Sequence, residues 1–310
     1  MTDCIVIKSD FDQFPDWESA FTEAGFRAVP WERRDQHADA IRYALVWKPG
    51  PGELAALPAL ELVFSVGAGV DHLVGDGLVP EHVPVVRNVE PGLTAGMVEY
   101  VVYHVIRFHR RMAVLEADQR DRCWEPRLPT PPWEHTVGIL GMGVLGTACG
   151  LALSDLGFRV TGWGRTPRQL EGIECRHGPD SLPDFLGQTE FLVCLLPLTA
   201  ETRGILCRET LAMLPRGACL INAGRGPLVV DADLLAALDD GHVGAAALDV
   251  FNQEPLPEDH PYWSHPAVTI SPHIASVVHP ASSTRHIVEN IRRHRAGQPL
   301  VHVADLARGY

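Results

Sequence analysis

Three residue types that can bind an anion and move a proton each follow a short apolar run of the kind that forms a buried strand. They are Arg225, Glu254 and His273. An imidazole exchanges protons near neutrality, and a neighbouring carboxylate can orient it and favour its charged form. A guanidinium stays charged at every relevant pH and binds carboxylates and developing oxyanions. Together these groups predict binding of an anionic substrate and protonation of its carbonyl oxygen.

Each of these residues has an ordinary alternative role. The chain has 15 histidines, most of which we expect to be structural or solvated. Glu254 precedes a proline and suits a turn, and Arg225 suits a simple ion pair. Ligands of open α/β sheets bind beyond the carboxyl ends of the strands. Three such residues after three strands therefore favour one shared crevice.

A glycine-rich segment, Gly141-Met-Gly143-Val-Leu-Gly146, indicates a second reactant. It lies between a β-like run and a helical stretch, which is the context in which G-x-G-x-x-G binds a dinucleotide. Gly141 permits the tight turn, Gly143 lets the backbone approach the pyrophosphate, and Gly146 lets helix pack on strand. The alternative is a turn that only packs. The segment also predicts cofactor contacts by Met142, Val144 and Leu145.

The end of the next strand, Trp163-Gly164-Arg165-Thr166, predicts which dinucleotide binds. It has no acid to bond a ribose 2′-hydroxyl, as NAD sites usually have. Arg165, Thr166 and Arg168 instead suit a 2′-phosphate, the alternative being a solvated arginine pair. We therefore expect NADPH as the preferred cofactor and NADH as the weaker alternative.

A second glycine-rich turn, Val66-Gly67-Ala68-Gly69, follows an apolar run near the start of the chain. Successive backbone N–H groups there can form a nest for a substrate carboxylate, although a plain strand–helix turn would look the same. A hydride donor, an acid and two anion-binding elements together predict reduction of a small 2-oxo acid to a 2-hydroxy acid.

The elements that must position these residues alternate between short apolar runs and stretches of helical spacing. We predict an α/β fold with two Rossmann-like or flavodoxin-like doubly wound parallel-sheet domains and an interdomain cleft. Residues 1–96 and 282–310 should form the substrate-binding lid domain, and 97–281 the dinucleotide-binding domain. One long helix, Thr94–Asp118, should join them. The predicted strands are Cys4–Ile7, Tyr43–Trp47, Leu62–Val66, Val83–Val86, Val137–Leu140, Arg159–Trp163, Phe191–Leu196, Ala218–Ile221, Gly244–Leu248 and Val268–Ile270.

Composition argues against several other classes of protein. A net charge of −13 disfavours nucleic-acid binding. No apolar run reaches the roughly 18–20 residues of a membrane span, and the first residues lack the features of a signal peptide. The seven cysteines lack a C-x-x-C pair and are expected to be free thiols in a reducing cytoplasm. No metal site is expected.

The chain resembles the D-isomer-specific 2-hydroxyacid dehydrogenases over nearly its whole length and, within them, the glyoxylate/hydroxypyruvate reductase A type. The family motifs are Val66–Asp71, Gly141–Gly146, Leu195-Leu-Pro197 with Thr199 and Thr202, Asn222–Gly226, Leu248-Asp-Val with Glu254-Pro-Leu-Pro257, and Pro272-His273. The subtype resemblance depends on Gly164-Arg165-Thr166, Trp47-Lys48 and Ala307-Arg-Gly-Tyr310. The chain departs from the usual family motifs at two positions, Ser271 before Pro272 and Pro227 after Gly226.

The resemblance implies reduction of glyoxylate, hydroxypyruvate or a similar acid to the D-2-hydroxy acid by a homodimer whose long helix lies near the interface. Arg225 would bind substrate, and Glu254 and His273 would form the acid–base pair. Trp47 and Lys48 would be lid residues over the substrate. Asp249 would lie near the nicotinamide carboxamide. The further implied cofactor contacts are Leu195, Leu196, Pro197, Thr202, Ala223, Gly224, Arg225, His273, Ala275 and Ser276.

Three alternatives stay open at this point. The chain could act on a larger 2-oxo acid or on phosphoglycerate, although phosphoglycerate enzymes usually carry an extra regulatory domain. It could oxidise formate, but a formate enzyme has no use for a proton-donating Glu–His pair. It could also be a dinucleotide-sensing binding protein without catalysis, against which the intact Arg225, Glu254 and His273 argue.

Overall fold

The computed structural model describes residues 3–9 and 13–310. The chain divides into two compact units. Unit 1 comprises Met1–Leu93 and Val277–Tyr310, and unit 2 comprises Thr94–Ser276. The domain boundaries predicted from the sequence fall after residues 96 and 281.

Unit 1 is built on a five-stranded parallel sheet with the order β2-β1-β3-β4-β5. This is the flavodoxin-like order, in which the chain winds outward in both directions from the first strands. The apolar, β-branched runs are buried on both faces, as a parallel sheet covered by helices requires. The strands are β1 (Cys4–Lys8), β2 (Arg27–Pro30), β3 (Ile41–Val46), β4 (Leu62–Ser65) and β5 (Val85–Val86).

Two helices cover part of this sheet: α1 (Phe14–Glu23) and α8 (Pro280–Arg295). In α8 the apolar residues Ile287, Val288 and Ile291 fall on one face and pack into the same core as the strands. The last helix therefore belongs to unit 1, although the whole of unit 2 separates it from the rest of that unit in sequence.

Unit 2 is built on a seven-stranded parallel sheet with the order β12-β11-β10-β9-β6-β7-β8. The strand order reverses between β6 and β9, which is the Rossmann arrangement. Two doubly wound parallel sheets confirm the predicted fold class. The strands are β6 (Thr136–Leu140), β7 (Arg159–Gly164), β8 (Glu174–His177), β9 (Phe191–Cys194), β10 (Ala218–Asn222), β11 (Val243–Leu248) and β12 (Val268–Ile270).

The helices of unit 2 begin with α2 (Pro91–His109), whose first turn contains the division between the units. The others are α3 (Met112–Arg120), α4 (Val144–Asp155), α5 (Leu182–Leu186), α6 (Arg208–Leu211) and α7 (Asp231–Asp239). Pro227, one of the two departures from the family motifs, lies in a short 3₁₀ turn (Gly226–Leu228), and α7 begins after it. Within the described residues, no helix has both the length and the apolar character needed to span a membrane.

The prediction of one helix over Thr94–Asp118 is wrong, because the helix breaks between α2 and α3. Arg111 adopts a left-handed conformation with φ 52°, although neither glycine nor proline marks the position. Val101 and Val105 of α2 are fully buried, whereas no residue of α3 is buried. The packing that holds α2 therefore ends before α3. Arg107 bridges the break by an ion pair with Glu116.

The sequence also missed β2 and β8, which lie at the edges of their sheets. An edge strand pairs on one side only and is covered less completely, so it needs no continuous apolar run. β8 illustrates this, since its four residues, Glu-Cys-Arg-His, are polar or only partly buried.

Candidate active site

The glycine-rich segment forms the turn between β6 and α4 at the carboxyl end of the unit 2 sheet. β6 pairs with β9 on one side and with β7 on the other. The order of the strands reverses at the β6–β9 pair, and open α/β sheets bind ligands at this switch point. Leu195, the first residue after β9, therefore lies beside the turn.

A side chain would have a different effect at each of the three glycines of the turn. Gly141 has φ 102°, and a Cβ there would lie 2.7 Å from the carbonyl carbon of Leu195. A Cβ on Gly146 would collide with the carbonyl of Gly141. A Cβ on Gly143 would meet nothing within 4 Å. Because Gly143 faces open space at the start of α4, a pyrophosphate can approach the backbone there.

The end of β7 offers the groups that suit a 2′-phosphate. Arg165, Thr166 and Arg168 are exposed. Arg168 donates a long hydrogen bond, 3.4 Å, to the hydroxyl of Thr147. A hydrogen bond from Thr199 and the positive charge of Arg165 both lower the pKa of Glu201. The structure therefore places two exposed guanidinium groups just after the carboxyl end of β7, and their contact with a 2′-phosphate stays a prediction.

Several predicted cofactor residues have side chains that are engaged within the protein. The Trp163 indole donates to the carbonyl of Gly178 at 2.9 Å, and the Thr202 hydroxyl donates to that of Pro197 at 2.7 Å. These side chains hold the loops, so any cofactor contact there would involve the backbone or another surface. Met142, Leu196, Ala223 and Ala275 are buried, Leu145, Gly164, Leu195, Pro197 and Ser276 are half-buried, and Val144 is exposed.

His273 and Glu254 form a hydrogen-bonded pair at the carboxyl end of the same sheet. Nδ1 of His273 lies 2.9 Å from Oε2 of Glu254. Oε1 of Glu254 accepts the backbone N–H of Phe251 at 3.0 Å. A carboxylate can only accept, so Nδ1 of His273 carries the hydrogen in this pair and Nε2 is the ring nitrogen that can exchange a proton with a substrate.

Arg225 lies on the turn after β10, and this turn is braced by Asn222. The buried Asn222 amide donates to the Arg225 carbonyl at 3.1 Å, and its oxygen accepts the Gly224 N–H at 3.2 Å. A Cβ on Gly226 would collide with the backbone of Phe251. The Arg225 turn thus packs directly on the segment that holds Glu254, so the structure brings all three predicted catalytic loops to one edge of the sheet.

Asp249 follows β11 and holds the loop that carries His273. Its carboxylate accepts the Ser271 hydroxyl at 2.6 Å and the N–H groups of Ile274 and Ala275 at 2.8 and 2.9 Å. Its carbonyl accepts the N–H of His273 at 2.8 Å. The side chain is 1% exposed. A contact of Asp249 with the nicotinamide carboxamide stays a prediction.

In unit 1, the turn Val66–Gly69 follows β4 and is held from its flanks. Ser65 donates to the carbonyl of Gly69 at 2.8 Å. Asn88 is buried, and its side-chain amide donates to the Val66 carbonyl at 2.9 Å. Its backbone N–H donates to the Gly67 carbonyl at 3.2 Å. A Cβ on Gly67 would meet nothing within 4 Å. The turn is fixed yet open beside Gly67, as an anion-binding turn requires.

Trp47 and Lys48, the predicted lid residues, follow β3 in unit 1. The Trp47 indole is 6% exposed and packs on His72 with ring centroids 4.1 Å apart. Lys48 is exposed and has φ 46°, and its carbonyl accepts the ammonium of Lys8 at 2.9 Å. Of the two residues, only Lys48 is exposed, and the lid role of both stays a prediction.

Sequence reasoning did not single out Asn88 or the bracing role of Asn222. Asn222 belongs to the family motif Asn222–Gly226, and its place between a strand and Gly224 is a usable signal. Asn88 pairs with the distant Ser283 at 3.0 Å as well as with the Val66–Gly69 turn. No local pattern indicates such a pairing between residues far apart in the chain.

Comparison with known proteins gives these features a family context. Residues 102–275, more than half of the chain, match the model of the D-isomer specific 2-hydroxyacid dehydrogenase NAD binding domain. A glyoxylate/hydroxypyruvate reductase A from Yersinia enterocolitica is 43% identical over 286 residues, covering 90% of each chain. Another from Salmonella newport is 41% identical over 302 residues, covering 95% of this chain and 96% of the relative.

Two solved structures share the architecture over 100% of both chains. One is a D-isomer specific 2-hydroxyacid dehydrogenase from Xanthobacter autotrophicus in complex with NADPH and MES, with a TM-score of 0.95 and 44% identity. The other is an NADPH-dependent glyoxylate/hydroxypyruvate reductase from Sinorhizobium meliloti in complex with NADP and sulfate, with a TM-score of 0.94 and 37% identity. The chain belongs to the D-isomer-specific 2-hydroxyacid dehydrogenase family.

Proposed function

We propose that the chain reduces a small 2-oxo acid, such as glyoxylate or hydroxypyruvate, to the D-2-hydroxy acid with NADPH as the preferred cofactor. The observation that carries the proposal is the His273–Glu254 pair at 2.9 Å, on the same sheet edge as an open glycine turn. Relatives of similar length that carry the reductase name support the same reaction.

His273 acts as the acid. With Nδ1–H donated to Glu254, its protonated ring presents Nε2–H to the substrate carbonyl oxygen. The carboxylate of Glu254 stabilises the charged imidazole and fixes its orientation. The proton therefore passes from Nε2 to the oxygen as that oxygen gains negative charge.

The guanidinium of Arg225 binds the carboxylate and the carbonyl oxygen of the substrate. The guanidinium keeps its charge throughout, so it stabilises the developing oxyanion without exchanging a proton. The bracing of its turn by Asn222 means that little reorganisation is needed when charge develops. The Val66–Gly69 turn is proposed as a further binder of the substrate carboxylate.

The cofactor is held by the turn Gly141–Gly146 and by Arg165, Thr166 and Arg168. Bound NADPH supplies the hydride. The open space at Gly143 suits the pyrophosphate, and the exposed guanidinium groups suit the 2′-phosphate. The structure of one relative in complex with NADPH, and that of another in complex with NADP, support this assignment.

The direct experiment measures NADPH and NADH oxidation by the purified protein with a panel of 2-oxo acids. We expect turnover with glyoxylate or hydroxypyruvate and a higher kcat/KM for NADPH than for NADH. NADPH binding without oxidation of any 2-oxo acid would favour a dinucleotide-sensing protein. Equal kcat/KM values for the two cofactors would contradict the 2′-phosphate assignment.

We also propose that the protein is a cytoplasmic homodimer. The segment after α3 exposes Trp124 and Leu128, at 96% and 90%, and exposed apolar side chains of this kind support an interaction surface, which we assign to a second copy. All seven cysteines have free thiols, as suits a reducing compartment. Sedimentation equilibrium that gives the mass of a single chain would contradict the dimer, and secretion from the cell would contradict the location.

A further inference from the structure

A chain of hydroxyl groups connects helix α2 to the loop that carries His273. Tyr100 of α2 places its hydroxyl 2.8 Å from the hydroxyl of Ser271, which lies 2.6 Å from the carboxylate of Asp249. All three residues lie in unit 2. Tyr100 does not belong to the acid–base pair or to any motif that the sequence singled out.

The direction of these hydrogen bonds follows from chemistry. The Asp249 carboxylate can only accept, so the single hydrogen of the Ser271 hydroxyl is donated to it. Ser271 therefore accepts from Tyr100. Burial raises the pKa of the Tyr100 hydroxyl, which keeps it a neutral donor at working pH. A directed chain of this kind strengthens each of its bonds.

The series of hydrogen bonds ends at the backbone of the loop that carries His273. Asp249 binds the N–H groups of three successive residues, His273, Ile274 and Ala275, the first through its carbonyl and the others through its carboxylate. His273 has φ 57°, an uncommon conformation for a residue other than glycine. Such a conformation persists only where the surroundings impose it.

The position of Tyr100 is itself fixed by packing. Its ring lies 4.5 Å, centroid to centroid, from the ring of the buried His104 one helical turn later. Ala275 packs in the same core as Met97 and Val101 of α2. A Cβ on Gly96 would lie 3.5 Å from the Cα of Ser276. The helix and the loop are therefore in direct contact, and the hydroxyl of Tyr100 meets a defined partner.

We propose that Tyr100 and Ser271 are positioning residues for His273, which they hold in its proton-donating orientation through Asp249. The assignment rests on His273 as the acid of the proposed function. Neither hydroxyl needs to touch the substrate. Their loss should slow the proton-coupled step without weakening the binding of either substrate.

The test is a double-mutant cycle on the full-length protein, read as the single-turnover rate of NADPH oxidation by glyoxylate. Tyr100→Phe removes one hydroxyl and leaves the ring on His104. We expect a rate about fivefold lower for Tyr100→Phe and about tenfold lower for Ser271→Ala, the scale of one lost hydrogen bond. The double variant should match Ser271→Ala, because the two hydroxyls act in series. KM for glyoxylate and Kd for NADPH should stay within twofold.

Two variants make the readout specific. Tyr103→Phe is the matched control, since it makes the same change on the exposed side of the same helix and should keep the wild-type rate. Ser271→Thr keeps the hydroxyl and should retain most of the rate that Ser271→Ala loses. A purely structural role would instead lower the melting temperature and affect binding and rate alike.

A wild-type rate in Tyr100→Phe, losses that multiply in the double variant, or an equal loss in Tyr103→Phe would overturn the inference. His273→Gln separates this result from the proposed function. If His273→Gln is inactive and Tyr100→Phe is normal, only the positioning role fails. If His273→Gln keeps the wild-type rate, the acid assignment fails and the positioning role fails with it.

Discussion

At the scale of single residues, the site depends on the hydrogen bonds that fix each side chain before any ligand binds. Glu254 uses one oxygen for the backbone of Phe251 and the other for His273. The imidazole is therefore oriented by a carboxylate that is itself held by the chain. Preorganisation of this kind lowers the reorganisation needed when the proton moves.

Arg165 gives the first prediction, because it is an exposed cation at the end of β7. Arg165→Ala should lower kcat/KM for NADPH about 10- to 100-fold, the range expected for charged hydrogen bonds to a phosphate. The value for NADH, which has no 2′-phosphate, should stay within twofold. Steady-state kinetics with both cofactors measures the change.

The matched control is Arg159→Ala, at the opposite end of the same strand. Arg159 is exposed and donates to the carbonyl of Glu134, so its loss should leave the ratio of kcat/KM values for the two cofactors unaltered. If Arg165→Ala keeps the wild-type preference for NADPH, a different group recognises the 2′-phosphate.

At the scale of elements, the carboxyl ends of parallel strands bring together residues that are far apart in sequence. The turns after β6, β9, β10, β11 and β12 all lie at one edge of the unit 2 sheet. Short apolar runs marked these strands in advance, so the grouping of Arg225, Glu254 and His273 could be predicted. The hydrogen bonds that hold each turn could not, since they depend on side-chain directions and not on spacing.

The glycine turn gives a prediction that separates packing from binding. Gly143→Ala should leave the melting temperature of the cofactor-free protein unchanged, because a Cβ there meets nothing within 4 Å. It should weaken NADPH binding about tenfold or more, because the pyrophosphate must approach that backbone. Thermal unfolding and NADPH titration measure the two effects.

Gly146→Ala is the counterpart, since its Cβ would collide with the carbonyl of Gly141. Overpacking of this kind costs about 1–3 kcal/mol, so the cofactor-free protein should melt at a lower temperature. Normal NADPH affinity in Gly143→Ala would show that the open space at that glycine is not where the pyrophosphate lies.

At the scale of the whole molecule, two doubly wound sheets and their connections could be predicted from alternating apolar runs and helical stretches. Three features could not. The break at Arg111 carries no glycine or proline, the edge strands β2 and β8 lack continuous apolar runs, and Asn88 pairs with Ser283 across most of the chain. Each depends on tertiary packing, which local sequence does not encode.

Global stability should fall in mild acid because His104 is buried on α2. Burial, and then the charge of Arg107, lowers the pKa of His104 to about 4. Above pH 6.5 both the folded and the unfolded chain hold this ring neutral. As pH falls from about 6.5 towards 4, only the unfolded chain gains the proton, so His104 makes the free energy of unfolding decrease by about 1–3 kcal/mol.

Urea unfolding at a series of pH values measures this contribution. His104→Asn should show a smaller fall in the free energy of unfolding between pH 7 and pH 5 than the wild type. His82→Asn, which changes an exposed histidine, should follow the wild-type curve. Parallel curves for His104→Asn and the wild type would mean that this histidine is not kept neutral by folding.

The central claim is that the imidazole of His273 delivers the proton to the reduced carbonyl oxygen. The most direct measurement compares the rate of the first turnover of bound NADPH with glyoxylate in the wild type and in His273→Gln. We predict a fall of about 10²- to 10⁴-fold with NADPH affinity within twofold, the scale for losing an acid catalyst. A variant rate within twofold of the wild type would contradict the claim.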